Sequence, residues 1–414
     1  MKKIVIITSQ IFGNSSANGI IALKLANYLS RKGYLVSTIS YNNLSKRIRK
    51  TENITHYFVN KPFFTIVLQS KNKLFIFLIV TLRRLLNIFL FFLFPVFNLI
   101  YVLKVYKTLL SINLKSKIDL IIPISKPFEN FSAARKYSKV QGTPIITYLL
   151  DMPKSIKRPF LFPIFIYNYY LEKFFKTILL SSNYTIVPYY SKIKNLPNNV
   201  LSLDFPTYLS SKKIDKIISF EFSPNYFNFI YAGMINSSDR DPNYLIRFLS
   251  KLNLSKKIRI YLFSSNKIVQ PISTLKKIEI IQPGLVNQDI LFKYYKGCDF
   301  LINFINSKNE VIPSKLGELI SFKKPIINVS NYKTPYHFLK PYKNLMKFSS
   351  TFFIDLSDVH QNQEKIIAFI KSSKNSSAKT ISSKNNNHGK INDMTDKILS
   401  SIEIKINEVF NPVP

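Results

Sequence analysis

Short apolar runs alternate with amphipathic stretches along the 414-residue chain, and their lengths predict the elements. Ile4-Val5-Ile6-Ile7 has the length of a buried strand and falls well short of the ~7–15 residues of a secretory h-region. A polar loop from Ser9 to Gly19 follows, then helical spacing from Ile20 to Leu29 (Ile21, Leu25, Tyr28, Leu29), closed by Arg31-Lys32 and a Gly33 cap. Tyr34 to Ser40 resumes as a strand. Strand, loop, helix and strand in so few residues open a doubly wound α/β domain. Further strands are expected at Ile118–Ile122, Pro144–Leu150 and Tyr184–Pro188, with a helix around Glu172 to Leu180.

A polar stretch near 207–225 precedes a second alternating series. Strands are expected at Phe227–Tyr231, Ile258–Phe263, Ile278–Gln282, Asp299–Ile305 and Pro325–Val329. Helices are expected at Asn243–Leu252, Ile290–Tyr295 and Pro313–Ile320. Such alternation predicts a parallel sheet. Residues 372–393 are rich in Ser, Asn and Lys and read as a low-complexity connection, after which Met394 to Val409 has the pattern of a last amphipathic helix. The domain reading is 1–206, 207–371, the connection 372–393, and a C-terminal helix within 394–414.

Leu74 to Leu103 breaks the pattern. Nine mostly apolar residues precede Arg83-Arg84, and nineteen more follow, interrupted only by Asn87, Pro95 and Asn98. The length nearly satisfies the ~20 residues of a membrane span. A single crossing would place the first strands and the rest of their sheet on opposite sides, so the preferred reading is a helix pair or hairpin within 74–110 that dips into one leaflet. Buried domain helices are the alternative.

Charge extends that picture. Lys and Arg number 59 against 22 Asp and Glu, a net +37, and residues 1–150 hold 22 basic and 3 acidic side chains, a net +19. Such a field attracts polyanions, so an anionic membrane surface and nucleic acid are both candidates. Drift toward Lys, Asn, Ile, Phe and Tyr is the plainer explanation. No helix-turn-helix, zinc-finger or aromatic RNA-binding signature accompanies the charge, and no nucleic-acid partner is expected. The single Cys298 excludes an internal disulfide and a CxxC metal site.

Candidate chemistry concentrates at Glu310-Val311-Ile312-Pro313-Ser314-Lys315-Leu316-Gly317-Glu318. Pro313 suits a first helical turn, amides around Ser314 to Leu316 can face an anion, and the Lys315 ammonium reinforces them. Glu318 can accept two hydrogen bonds from vicinal ribose hydroxyls, and Glu310 can reach hydroxyls of a sugar. Asp151, at a strand terminus, is a candidate catalytic or acceptor-contacting carboxylate; a capping or turn role is the alternative. Ser9–Gly19 lacks GxGxxG spacing, and no acidic residue ends the second strand, which excludes the NAD-type fingerprint.

The E-x7-E pair with its embedded Pro-Ser-Lys, the preceding Cys298-Asp299-Phe300-Leu301-Ile302-Asn303 and the following Lys323-Lys324-Pro325-Ile326-Ile327 resemble the donor site of family-4 retaining glycosyltransferases, the bacterial polysaccharide-synthesis type in particular. Ile230-Tyr231-Ala232-Gly233 is similar to the strand opening the family's C-terminal domain, Gly284 to its glycine near the nucleotide base, and Ser16-Ala17-Asn18-Gly19 to its N-terminal acceptor loop. The resemblance implies an α/β protein of two Rossmann-like domains facing across a cleft, the glycosyltransferase B-type fold. A hydrophobic, membrane-associating helical insertion would sit in the first domain.

It further implies that Glu318 binds the ribose, Glu310 contacts the donor sugar, and Arg240 with Lys315 neutralises the diphosphate, with Ser314, Gly233 and Gly284 lining the donor. The activity implied is a metal-independent, hexosyltransferase-like transfer with retention, from a nucleotide-sugar to a lipid-linked or polysaccharide acceptor. No cofactor is expected, and the place of action is the cytoplasmic face of the cell membrane, as a peripheral or monotopic protein. Three positions depart from the pattern: Leu245 stands where a lysine follows the phosphate-binding arginine, Lys323 replaces a glycine, and no histidine aligns with the N-terminal catalytic one. They leave a catalytically inactive assembly partner as the alternative.

Overall fold

The computed structural model describes residues 1–12, 17–42, 47–51, 53–60, 74, 77–79, 81–82, 94–96, 98–151, 156, 158, 162–188, 197–236, 240–265, 277–305, 315–330, 351–355, 359–379 and 394–411. They form two compact units, one of Met1–Phe205 with Ile398–Pro414 and one of Pro206–Lys397.

In the first unit β1 (Lys3–Ile7) is buried throughout, as its unbroken apolar run requires in a sheet covered on both faces. Helix α1 (Ala17–Arg31) follows, ending at Gly33, whose φ of 89° is the left-handed turn that glycine adopts without strain. β2 (Leu35–Asn42) lies parallel to β1. A hairpin of β3 (Ile48–Thr51) and β4 (Ile54–Asn60), which the reading above leaves out, closes one edge. After α2 (Leu99–Lys115) comes β5 (Leu120–Pro123), parallel to β1 on its other side. Then follow α3 (Glu129–Gln141), β6 (Ile146–Tyr148), α4 (Ile164–Ser181), β7 (Tyr184–Pro188) and β8 (Val200–Leu203).

The order β3-β4-β2-β1-β5 is continued toward β6-β7-β8 by parallel bridges Ile121 to Ile145 and Ile124 to Tyr148. The strand order therefore reverses direction between β1 and β5, the switch point of a doubly wound sheet.

The second unit holds α5 (Ser211–Asp215), β9 (Tyr226–Ala232), α6 (Pro242–Ser250), β10 (Lys257–Phe263), β11 (Ile278–Ile281), α7 (Gln288–Gly297), β12 (Phe300–Phe304), α8 (Leu316–Ser321), β13 (Ile326–Ser330), β14 (Thr351–Asp355) and α9 (Val359–Lys379). Its sheet runs β11-β10-β9-β12-β13-β14, wholly parallel, with its switch point between β9 and β12. Phe229, Ile260, Ile302 and Ile327 lie in its core with Leu245 and Leu249 of α6. Across β12 and β13 the buried Asn303 donates to Asn328 at 2.7 Å, so a polar pair inside the sheet is satisfied.

Two boundaries differ from the pattern reading. α9 continues to Lys379, eight residues into the Ser/Asn/Lys-rich stretch, because Ser, Lys and Ala tolerate a helix once an apolar face is docked, here by Ile366 and Ile370. The last helix, α10 (Met394–Phe410), sends Leu399, Ile402 and Ile406 into the core beneath β1, β2 and α1. Half of 74–103 lies outside the described residues. Among the described residues no helix is long and apolar enough to cross a membrane.

Candidate active site

Both expected ligand regions lie at switch points, where the loops leaving neighbouring strands diverge. In the first unit, Asn18 stands in the first turn of α1, and its Nδ2 donates to the Ser125 carbonyl beyond β5. Gly19 passes close to the preceding loop, since a Cβ there would sit 2.0 Å from the Gln10 carbonyl oxygen. Only glycine fits. Ser125 Oγ accepts from the amides of Leu150 (3.0 Å) and Asp151 (3.1 Å) and donates to the Asp151 carbonyl (3.3 Å). Loops following β1, β5 and β6 are thereby tied together. The Asp151 carboxylate, half-exposed, pairs with the Lys126 ammonium at 3.6 Å. Ser125 and Lys126 were not singled out in the sequence, because their partners stand 26 and 25 positions away. Ser16 lies outside the described residues.

In the second unit, Gly233 follows β9 and donates its amide to the Phe263 carbonyl at 3.0 Å. Tyr231 folds over it: a Cβ on Gly233 would meet the Tyr231 hydroxyl at 2.6 Å, and that hydroxyl donates to the Met234 carbonyl at 2.8 Å. Burial pushes the phenol up to about 12 against the opposing pull of Arg240 beside it. Arg240 is anchored by its own backbone, its amide donating to Asn236 Oδ1 at 3.0 Å.

Lys315 caps α8 and donates from Nζ to the Ala232 carbonyl at 3.3 Å, which ties the start of α8 to the end of β9. Around the Lys315 ammonium, desolvation is the largest influence and lowers the pKa, the Glu318 charge opposes it, and the Arg240 charge adds a smaller lowering. Glu318, one turn on, accepts from Gln288 Nε2 at 3.0 Å. Gln288, the first residue of α7, is a site residue the pattern reading missed; its position in a loop-to-helix turn carried no chemical signal. α8 is held against its own unit by Gly317, where a Cβ would meet Thr207 Oγ1 at 2.6 Å, and by Ser321, whose Oγ accepts from the Leu209 amide at 2.9 Å.

Thus Lys315, Glu318 and Arg240 gather beside Ala232 and Gly233, two cations and one carboxylate around the end of a central strand. Gly284 adopts φ 82° in the turn after β11, and no described contact joins it to them. Glu310, Pro313 and Ser314 lie outside the described residues, and the described helix α8 begins at Leu316.

No protein-family pattern matches the sequence, and no curated protein sequence matches it. Solved structures do match. Sucrose-phosphate synthase from Thermosynechococcus elongatus is similar at TM-score 0.65 and 8% identity over 100% of both chains. An E. coli trehalose-6-phosphate protein bound with UDP-2-fluoro glucose matches at TM-score 0.56 and 11% identity, again over 100% of both. The lipopolysaccharide outer core galactosyltransferase WaaB, in apo form, matches at TM-score 0.55 and 13% identity over 99% of each chain. At such low identity the likeness speaks for architecture, and with two doubly wound parallel units in one chain, that architecture is the B-type fold of the glycosyltransferases.

Proposed function

We propose that the protein transfers a sugar from a nucleotide-sugar donor to a lipid-linked or polysaccharide acceptor at a membrane surface, with retention at the anomeric carbon. The observation that carries this reading is the gathering of Lys315, Arg240 and Glu318 at the switch point of the second sheet. A nucleoside diphosphate needs cations for its phosphates and a hydrogen-bond acceptor for its ribose, and these three side chains supply both. As the bond from the anomeric carbon to the phosphate oxygen breaks, negative charge grows on the leaving diphosphate. Lys315 and Arg240 stabilise that charge in place of a divalent ion, each donor of this kind contributing roughly 3–4 kcal/mol. Asp151, paired with Lys126, contacts the acceptor, and Glu310 the donor sugar.

The test is a thermal-shift titration with UDP, GDP, CDP and ADP. One nucleotide at 100 times its Kd stabilises the wild type by about 2.7 kcal/mol. Glu318→Ala abolishes the response, whereas Lys315→Met lowers turnover about 100- to 1,000-fold. EDTA leaves turnover unchanged, and the anomer seen by NMR in the product matches that of the donor. Silence toward all four nucleotides would overturn the reading.

One observation favours a second reading, an inactive assembly partner: Leu245, where the resemblance places a lysine, is 1% exposed in the core of the second unit and leaves no room for a cation. Measurable donor hydrolysis eliminates that alternative.

A further inference from the structure

Helix α4 is the most apolar helix of the first unit for the little it buries. Of its 18 residues, IFIYNYYLEKFFKTILLS, only Leu171 and Ile178 are buried. Its first turns present Ile164, Phe165 (71% exposed) and Tyr169 to solvent. An apolar helix start left exposed in this way is expensive in water unless something covers it. The start of α2 shows the same exposure, with Leu99, Ile100 (68% exposed) and Leu103 all outward.

The segment before α2 packs on the start of α4. Phe94, five residues before Leu99, packs against Phe162 at 5.5 Å and Tyr167 at 5.6 Å, in a cluster with Leu171 two turns into α4. Tyr167 donates to the Ile156 carbonyl at 2.5 Å and fixes the entry into α4.

Each helix then repeats one order along its exposed side: apolar residues first, lysines further on. On α2, Lys104 and Lys107 follow Ile100; on α4, Lys173 and Lys176 follow Phe165, with Lys173 lying 5.8 Å from the centre of the Tyr169 ring. At a rise of 1.5 Å per residue, Ile100 to Lys107 spans about 10 Å and Phe165 to Lys173 about 12 Å. On each helix a lysine therefore stands about 10–12 Å along the axis from the apolar tip. That is the vertical order of a bilayer interface, where apolar and aromatic side chains enter to about 5–10 Å and long cationic ones reach back to the headgroups. Arg158 adds a cation near the start of α4, and Glu172 is the one acidic side chain on that helix.

We propose that the tips of α2 and α4 together form one docking face for the anionic leaflet of a lipid bilayer. The inference rests on the membrane reading above and deepens it by moving the contact onto α4, nearly 60 residues beyond the segment that suggested it. Charge decides between a bilayer and a second copy of the chain. With Lys104 and Lys107 on α2 and Lys173 and Lys176 on α4 against Glu172, two such faces would meet with like charges opposed, whereas an anionic lipid surface neutralises them.

Full-length protein is tested by flotation with vesicles of phosphatidylcholine, with and without phosphatidylglycerol. Wild type floats with the anionic vesicles and loses that association as salt rises. The pair Ile164→Ser/Phe165→Ser lowers partitioning about tenfold or more, and Ile100→Ser/Leu103→Ser does the same. Lys173→Gln/Lys176→Gln weakens binding and flattens its salt dependence. These positions are exposed, so all three variants keep the melting temperature and the nucleotide response of the second unit. A wild type that floats, with α4 variants floating equally, overturns the inference and leaves the membrane reading standing. A wild type that never floats overturns both. Concentration-dependent dimerisation lost in Phe165→Ser, without flotation, assigns the face to a second copy and also overturns it.

Discussion

Lys323 holds a backbone position that side chains rarely adopt, with φ at 56°, just past the end of α8. Its amide closes the helix by donating to the Ile320 carbonyl at 3.0 Å, the ending at which glycine is common. An L-residue there costs roughly 1–2 kcal/mol, offset in part by the greater freedom glycine has in the unfolded chain. Lys323→Gly is expected to stabilise the second unit by about 1 kcal/mol in urea denaturation; a loss of stability would show that the lysine side chain matters more than the strain. His56 makes the opposite kind of statement. It is fully buried, with Nδ1 at 2.8 Å from the Thr38 hydroxyl and Nε2 at 2.7 Å from that of Thr51. Burial first, then the Arg49 charge, press its pKa down to about 4. The unfolded chain, at about 6.5, takes up its proton first as pH falls. Stability due to neutral His56 is therefore complete above pH 6.5 and drains away toward pH 4, by about 3 kcal/mol. NMR titration of the ring and denaturation at pH 7 and 5, with His56→Gln as the control, measure it; a ring titrating near 6.5 contradicts the assignment. Glu318 and Asp151 were legible as candidate chemistry because carboxylates are scarce and these stand at strand or helix ends, and Lys315 because it stands between Glu310 and Glu318 at a helix start. Ser125, Lys126 and Gln288 were not, since each matters only through a partner far along the chain.

At the level of elements, β4 shows what a local pattern holds and where it misleads. Its inward positions are Ile54, His56 and Phe58, a period-two alternation in which one inward residue is polar. The histidine hid the strand until Thr38 and Thr51 were seen to satisfy it. β3 offered no such cue, because none of its residues is buried and only its antiparallel pairing with β4 makes it a strand. α10 is amphipathic in the sequence, but the pattern does not name the surface that receives its apolar face. Tyr28 donates to Glu403 at 2.7 Å and Tyr34 to Asn407 at 2.7 Å, aligning Leu399, Ile402 and Ile406 with the core of the first unit. Ile402→Ala should remove about 2–4 kcal/mol from that unit by the cavity it leaves. Melting of the first unit followed separately from the nucleotide-stabilised second would show the loss; an unchanged first transition would mean that α10 is not part of its core.

On the scale of the whole chain, two doubly wound units each place a loop cluster at their switch point, and the proposed division of labour predicts where a ligand is felt. The nucleotide that stabilises the protein should slow hydrogen exchange at 231–234, 288–291 and 315–318 in the second unit; protection confined to the Asn18, Ser125 and Asp151 loops would reverse the assignment of donor and acceptor. The sequence by itself determined the strand and helix alternation, the largely parallel sheets, the excess of cations toward the N-terminal third and the Glu310 to Glu318 stretch as the densest candidate chemistry. These depend on periodicity and composition, which short windows hold completely. Only the tertiary structure decided that Ser125 ties the Asp151 turn to the start of α1, that Lys315 reaches the end of β9, that α10 completes the first core and that α4 leaves its aromatic start uncovered. Each of those depends on which distant segments meet, and sheet order and helix docking settle that through the burial of surfaces that no window of the sequence contains.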